Sequence, residues 1–149
     1  MRTRLRRLTG SDRGAALLET AVTLPLILFV AVAILEFGHA FQTWQVLTNA
    51  AREGARVAVL PGTADADVTS RIQSYLASGQ VRRADEAEVD IERNTVISIG
   101  AGTASASRVE VSYPFEFFVL QPVANLVVEG STVGQAFTMI ATATMRNES

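Results

Sequence analysis

One uninterrupted helical pattern, residues 13–60, limits what this chain can fold into. Its first half, residues 15–35, is 21 residues long and carries a single charge, Glu19. As a helix with a rise of about 1.5 Å per residue, this half is long enough to cross the roughly 30 Å hydrocarbon core of a bilayer. We therefore interpret residues 15–35 as a transmembrane helix.

The second half, residues 36–60, keeps the helical period but is apolar on one side only. Its apolar residues recur at steps of three or four, and its polar residues fall mostly on the other faces, which is typical of an amphipathic helix. Pro61-Gly62 is expected to end it. Because a helix of about 45 residues is too long for an ordinary globular domain, we expect one half in lipid and the other packed on a head or on neighbouring subunits.

The apolar run separates two regions of different charge. Five arginines precede it, whereas eight arginines stand against twelve acids from Phe41 onward. The positive-inside tendency therefore predicts that residues 1–14 are a basic cytoplasmic leader and that residues 61–149, which we call the head, are exported.

The composition argues against an enzyme and against a bound metal or cofactor. The chain has no cysteine, which excludes thiol catalysis and cysteine-ligated metals, and its one histidine, His39, lies just beyond the apolar run. Four acids, Glu86, Glu88, Asp90 and Glu92, lie on one face of a predicted strand, but their spacing is not that of a calcium loop, so a solvated face is favoured. Nucleic-acid binding is not expected, because the exported part is acidic and its arginines are dispersed.

Gly14 and Glu19 stand five residues apart at the start of the apolar run. A carboxylate at the centre of a membrane helix costs about 2.5–3.5 kcal/mol, and less near an interface, so it usually has a partner. Cleavage after Gly14 would give Ala15 a cationic amine that could supply that partner.

These residues resemble a known signal and a known family. Gly14 with Glu19 is similar to the type IV prepilin cleavage signal, in which a prepilin peptidase cuts after the glycine and the glutamate pairs with the N-terminal amine of a neighbouring subunit. The longer pattern resembles the TadE-like family of tight-adherence pilus systems. It comprises Arg13-Gly14-Ala15-Ala16, Leu24-Pro25-Leu26, Glu36-Phe37-Gly38, Asn49-Ala50-Ala51-Arg52-Glu53-Gly54-Ala55-Arg56 and a last strand at residues 141–146.

The resemblance implies a minor pilin or pseudopilin that supports assembly of a tight-adherence (Flp, type IV) pilus. Its implied partners are pilus subunits, the inner-membrane assembly proteins of that system and a prepilin peptidase. Its implied location is the bacterial inner membrane, which it crosses once with the N-terminus in the cytoplasm. Because Thr20 stands where related pilins commonly carry tyrosine, the alternative is an uncleaved, membrane-anchored envelope protein that binds partners without polymerising.

Two further features of the apolar run allow more than one interpretation. Pro25 removes a backbone donor, so it is expected to kink the helix, either as a flexible point for leaving the bilayer or as a tolerated kink. Ala31-Val32-Ala33 resembles the cleavage site of a secretory signal peptide. The helical pattern continues through Ala33, which favours an uncut helix.

The head is predicted to be α+β and pilin-like. A second helix is expected to begin at a cap on Thr63 or Asp65 and to end near Ser78 before Gly79. Period-two alternation predicts strands from residue 87, with a break near Arg93-Asn94, over residues 107–113 and over residues 133–145. Pro114 is expected to end the pairing of the strand over residues 107–113. We therefore expect a long N-terminal helix, a second helix and an antiparallel sheet of three or four strands.

Residues 115–128 are rich in bulky apolar side chains, interrupted at Gln121-Pro122. They are too short and too broken to span a bilayer. They are expected either to close the core against the long helix or to lie near the membrane or a partner.

Overall fold

The computed structural model of this 149-residue chain describes residues 12–100 and 102–147. Its elements are α1 (Asp12–Ala58), α2 (Asp65–Ser78), β1 (Glu88–Ile99), β2 (Gly102–Phe115), α3 (Leu120–Val127) and β3 (Phe137–Arg146). A long N-terminal helix, a second helix and a three-stranded antiparallel sheet confirm the predicted pilin-like α+β class. Most of the predicted basic leader, residues 1–11, lies outside the described residues.

Helix α1 is continuous over 47 residues, through both Pro25 and Ala33. It ends at Ala58, two residues before the predicted end, and the chain then turns at Pro61-Gly62. Gly62 has a φ of +76°, a backbone conformation that suits glycine.

Helix α2 has the predicted bounds but not the predicted cap. Its buried face is Val68, Ile72 and Leu76, at the helical spacing that the sequence indicates. Ala64, rather than Thr63 or Asp65, precedes its first turn, and the Ala64 N–H donates a hydrogen bond to the Asp67 carboxylate at 3.3 Å. The carboxylate from inside the first turn thus satisfies the backbone donor of the N-cap residue, which is one half of a capping box.

The sheet has the order β1-β2-β3 with antiparallel neighbours. Pairing of β1 with β2 shifts register between Glu92 and Thr95, where Asn94 has a φ of +60°, so the predicted break is a β-bulge. Buried residues of β2 and β3 face the outer half of α1 and α2: Val109, Val111, Tyr113, Met139 and Ala141. The acids Glu88, Asp90 and Glu92 are exposed, as predicted for a solvated face.

Two strand ends differ from the prediction. Pro114 does not end β2, which pairs with β3 as far as Phe115 opposite Phe137. Pairing with β1 ends at Ser112, so β2 has a neighbour on one side only at Pro114, and a missing donor is tolerated there. Strand β3 begins at Phe137 instead of Val133, because Gly130 and Gly134, with φ of +77° and +75°, hold the preceding residues in turns.

The apolar residues 115–128 are divided between the core and the surface. Phe115, Leu120 and Ala124 are buried, whereas four others remain exposed: Phe118, Val119, Leu126 and Val128. Part of this segment forms α3, a helix of eight residues that the sequence did not predict.

Candidate functional site

The apolar half of α1 is mostly exposed. Leu17, Val22 and Leu35 are exposed to 71, 75 and 73%, and no residue in the most apolar stretch of this helix is buried. Among the described residues, α1 is the one helix long and apolar enough to cross a membrane. An apolar surface of this size is unfavourable in water, and the helix fits a single-pass membrane anchor.

The residues of the predicted cleavage and pairing site lie at the exposed start of α1. Gly14, Ala15 and Glu19 are all exposed and helical, and a Cβ added at Gly14 would meet no atom within 4 Å. The Thr20 and Thr23 hydroxyls donate to the carbonyls of Ala16 and Glu19, at 2.8 and 2.6 Å. These threonines are thereby satisfied within the helix, whereas the Glu19 carboxylate is open to a partner.

The outer half of α1 carries small residues on the side that meets the head. Ala50, Ala51 and Ala55 are at most 1% exposed. A Cβ added at Gly54 would stand 2.5 Å from the Ile72 Cδ1 atom and 3.3 Å from the Val109 Cγ1 atom. Small side chains at these positions let α2 and β2 approach the α1 backbone closely.

An ion-pair network joins α1 to α2 beside this contact. Arg56 and Arg71 both donate hydrogen bonds to the Glu53 carboxylate, at distances from 2.8 to 3.1 Å. Hydrogen bonds from Arg56, and then from Arg71, lower the pKa of Glu53 to about 2. The network therefore holds a charged Glu53 between the two helices.

Arg93 in the β-bulge connects three elements. Its guanidinium donates to the Ala58 carbonyl at the end of α1, to the Thr63 carbonyl and to the Asp65 carboxylate at the start of α2, at 2.9, 2.9 and 2.7 Å. One planar group with several donors thus fixes the α1–α2 turn against β1.

Glu36, where the apolar run ends, binds the start of α3. Its carboxylate accepts hydrogen bonds from the backbone N–H groups of Val119 and Leu120, the latter at 3.1 Å. An anion at a helix N-terminus satisfies free donors and interacts favourably with the helix dipole. The next turn of α1 adds aromatic contacts, with Phe37 5.5 Å from Phe117 and His39 5.8 Å from Phe115 between ring centroids.

Beyond Glu36, α3 lies beside the apolar half of α1. Val119, Leu120 and Val123 line a groove with four residues of α1: Pro25, Leu28, Phe29 and Val32. The head therefore reaches back along the helix into the segment predicted to lie in the membrane.

Comparison with known families concerns the N-terminal half of the chain. Residues 14–56 match the family described as TadE-like protein. The chain carries a TadE-like segment. No curated protein and no solved structure matches the chain. The TadE-like segment supports a role associated with the tight-adherence pilus.

The TadE-like segment contains two structurally different parts. From Gly14 to Leu35 its side chains are mostly exposed, and from Ala40 to Ala55 one face is buried against the head. The residues from Asn49 to Arg56 therefore pack α1 against the head, through their alanines, Gly54 and the ion-pair network of Glu53. Of their charged residues, Glu53 joins α1 to α2 through Arg71, and Arg56 supports Glu53 from within α1.

The predicted site residues are separate from the contacts that hold the head. Gly14, Ala15, Glu19 and Pro25 all lie in the apolar half of α1, and of these only Pro25 borders the head, at the α3 groove. Sequence reasoning missed the functions of Glu36, Glu53 and Arg93. Each bonds to a residue or residues at least 18 positions away, and no local spacing indicates such partners.

In residues 12–100 and 102–147, no group of three or more His, Cys, Asp or Glu side chains is placed to hold a metal ion. His39 instead packs on the Phe115 ring.

Proposed function

We propose that this protein is a minor pilin or pseudopilin that supports assembly of a tight-adherence pilus, and that it is not an enzyme. The observation that carries the proposal is the division of the TadE-like segment in α1. One half is apolar, mostly exposed and marked by Glu19, and the other half is packed against a small α+β head. Such a helix can serve as a membrane anchor before assembly and as a packing element afterwards.

The proposed chemistry of assembly centres on Glu19. A prepilin peptidase cuts after Gly14, and the new amine of Ala15 pairs with Glu19 of a neighbouring subunit. The open position of both residues supports this pairing, since no part of the described head covers them. Apart from Thr20 and Thr23, the residues beside Glu19 on α1 are apolar, and a charge pair shielded from water interacts strongly.

A second exposed surface on α1 supports contact with other subunits. Phe37, Phe41 and Trp44 are 58, 60 and 45% exposed and follow one another at helical spacing. The rings of Phe41 and Trp44 lie 6.3 Å apart. Exposed aromatic residues of this kind are enriched at protein interfaces, and the proposed partners are pilus subunits and the inner-membrane assembly proteins of the system.

Genetic complementation tests the proposal. Deletion of the gene should abolish or strongly reduce piliation while leaving the pilin in the inner membrane, and the wild-type chain supplied in trans should restore pili. Normal piliation in the deletion strain would contradict a role in assembly.

One observation favours an alternative, an uncleaved envelope protein that binds partners without polymerising. Helix α3 lies on part of the apolar half of α1, a surface that a helix packed in a filament would use. The intact mass of protein made beside its native peptidase separates the two proposals. Loss of residues 1–14 supports the pilin, and a full-length chain that stays in the membrane supports the anchored protein.

The proposed orientation places the N-terminus in the cytoplasm and the head outside the inner membrane. A cysteine introduced at Ser78, which is exposed, should react with an impermeant thiol reagent in intact spheroplasts. Reaction only after lysis would reverse the orientation. The wild-type chain has no cysteine, so no background labelling of this protein interferes.

A further inference from the structure

We infer that the α3 segment, residues 117–128, inserts into the bilayer leaflet on the head's side and holds the head against the membrane. The occupant of its exposed apolar face is therefore lipid. This inference rests on the proposal that α1 spans the membrane, and it assigns a second, separate membrane contact to the head.

The depth of α3 follows from its contacts with α1. Its first residues lie beside residues 25–32 of α1 and are bound by Glu36. At about 1.5 Å per residue, Pro25 is roughly 15 Å from Leu35 along the helix, which is half of a 30 Å hydrocarbon core. Any bilayer that covers residues 25–35 therefore extends to the level of α3.

The composition of the α3 segment fits this position. Residues 117–128 carry no charge, and Glu116 and Glu129 flank them. Phe118, Leu126 and Val128 are exposed to 52, 86 and 60%, whereas Leu120 and Ala124 are buried. Burial of such residues in the interfacial region is how short amphipathic helices bind membranes.

The Glu36 contact removes a cost that would otherwise oppose insertion. Backbone donors without partners are expensive in lipid, and the first turn of a helix always has them. The Glu36 carboxylate accepts the N–H groups of Val119 and Leu120. These two donors are thereby satisfied at the depth where water becomes scarce.

A cation lies where lipid phosphates are expected. The guanidinium carbon of Arg82 stands 3.6 Å from the centre of the Phe118 ring, and Arg82 is exposed. An arginine beside an exposed aromatic ring, next to an apolar segment, matches the headgroup level of a membrane. Arg82 is thus positioned to bind phosphate while Phe118 enters the acyl region.

Spin labels at single cysteines in the full-length protein test this inference. The protein is reconstituted in vesicles that contain anionic phospholipid, and the accessibility of each label to oxygen and to a water-soluble nickel chelate is measured. Leu126→Cys probes α3, and Ile34→Cys, 67% exposed in the apolar half of α1, reports the span itself. Val96→Cys is the aqueous control, since Val96 is 71% exposed and pairs with Ser105, roughly 30 Å along β2 from Phe115.

The inference predicts that oxygen reaches the labels at positions 126 and 34 better than the nickel chelate does, and that the order is reversed at position 96. An aqueous label at position 126 together with a lipid-facing label at position 34 would overturn the insertion of α3 but leave the transmembrane position of α1 intact. An aqueous label at position 34 would contradict the transmembrane position of α1 and, with it, the inference about α3 that rests on that position. A label at position 126 that neither reagent reaches, with spin–spin broadening that grows with protein density, shows a second copy on this face and also overturns the inference.

A matched pair of variants tests the part assigned to Glu36. Glu36→Ala should move the label at position 126 toward the aqueous values, because α3 loses the acceptor for its first donors. Glu88→Ala, in the exposed acidic row, should leave the label unchanged. Unchanged accessibility in both variants would overturn the role of Glu36 in insertion.

Discussion

Arg71 of α2 donates two hydrogen bonds to one carboxylate oxygen of Glu53 in α1, at 3.1 and 2.9 Å. The Glu53 side chain is 17% exposed, and Arg56 lies on its other side. Hydrogen bonds from Arg56 and from Arg71 lower the pKa of Glu53 from 4.5 to about 2. The network therefore joins α1 to α2 more firmly when Glu53 is charged.

The first prediction is that this network stabilises the head at neutral pH and not in acid. A carboxyl group whose pKa is lowered by folding adds stability above its unfolded pKa, and loses it as the pH falls through the folded value. The difference in unfolding free energy between wild type and Glu53→Gln should be about 1 kcal/mol at pH 7. It should disappear between about pH 4.5 and pH 2.

Denaturant unfolding in detergent, followed by circular dichroism at several pH values, measures this difference. Glu88→Gln is the matched control, since its exposed carboxylate lies in the acidic row of β1, and it should change stability little at pH 7. If Glu53→Gln lowers the unfolding free energy equally at pH 7 and pH 2, the charge of Glu53 is not the source of the stability that the network provides.

The second prediction concerns the close contact at Gly54. Gly54→Ala places a methyl group 2.5 Å from Cδ1 of the fully buried Ile72, so it should lower stability by about 1–3 kcal/mol. Gly38→Ala is the control, because a Cβ there meets nothing within 4 Å, and better helix propensity should leave stability equal or higher. Adding Ile72→Val should recover part of the loss in Gly54→Ala. Equal melting temperatures for both alanine variants would contradict the contact.

The third prediction concerns Arg93. Arg93→Ala removes three hydrogen bonds that fix the α1–α2 turn to β1, and it should cost about 2–3 kcal/mol. Arg93→Lys should recover little, since an ammonium cannot present the same planar set of donors. Arg52→Ala, an exposed control with one long contact of 3.5 Å to Asn49, should be nearly neutral. Full rescue by lysine would mean that charge alone matters at position 93.

Much of the fold could be predicted because local periodicity encodes it. Val68, Ile72 and Leu76 define the buried face of α2, Gly79 follows its end, and Asn94 lies at the predicted break in β1. In each case the signal and the structure that it predicts lie within about ten residues. The predicted start of β3 at Val133 was wrong, because the turn at Gly134 interrupts the alternating pattern, and the strand begins only at Phe137.

Contacts between distant residues could not be predicted in the same way. Helix α3 has eight residues, too few for an isolated helix to be stable, and the backbone donors at its start bind Glu36, more than eighty positions earlier. Pro114 was expected to end β2, yet whether a strand tolerates proline depends on which neighbours it has at that point. Gly14 and Glu19 of the candidate site differ from these distant contacts. They form a local motif that can be seen in the sequence itself, but the function of that motif depends on other molecules.

The fourth prediction concerns cleavage after Gly14. Gly14→Ala should block processing, so that the intact mass retains residues 1–14 when the protein is made beside its native peptidase. The variant should still fold, since a Cβ at position 14 meets nothing within 4 Å. Gly38→Ala has equally open surroundings and should be processed normally. Processing of Gly14→Ala at the wild-type rate would place the cut elsewhere.

The pairing role of Glu19 is the central claim. Removing one partner from a desolvated, hydrogen-bonded charge pair costs about 3–5 kcal/mol, enough to decide whether a subunit leaves the bilayer. Glu19→Gln keeps the size of the side chain and removes its charge at an exposed position far from the head core. Membrane insertion and folding of the head should therefore be unchanged, and association with pilin partners should be impaired.

The most direct measurement is the number of pili per cell in a strain that lacks the wild-type gene and expresses Glu19→Gln at normal levels. We expect pili to be lost or strongly reduced, while Glu88→Gln, an exposed carboxylate of the head, restores them fully. Normal piliation with Glu19→Gln would contradict the pairing role and would leave α1 as a simple anchor.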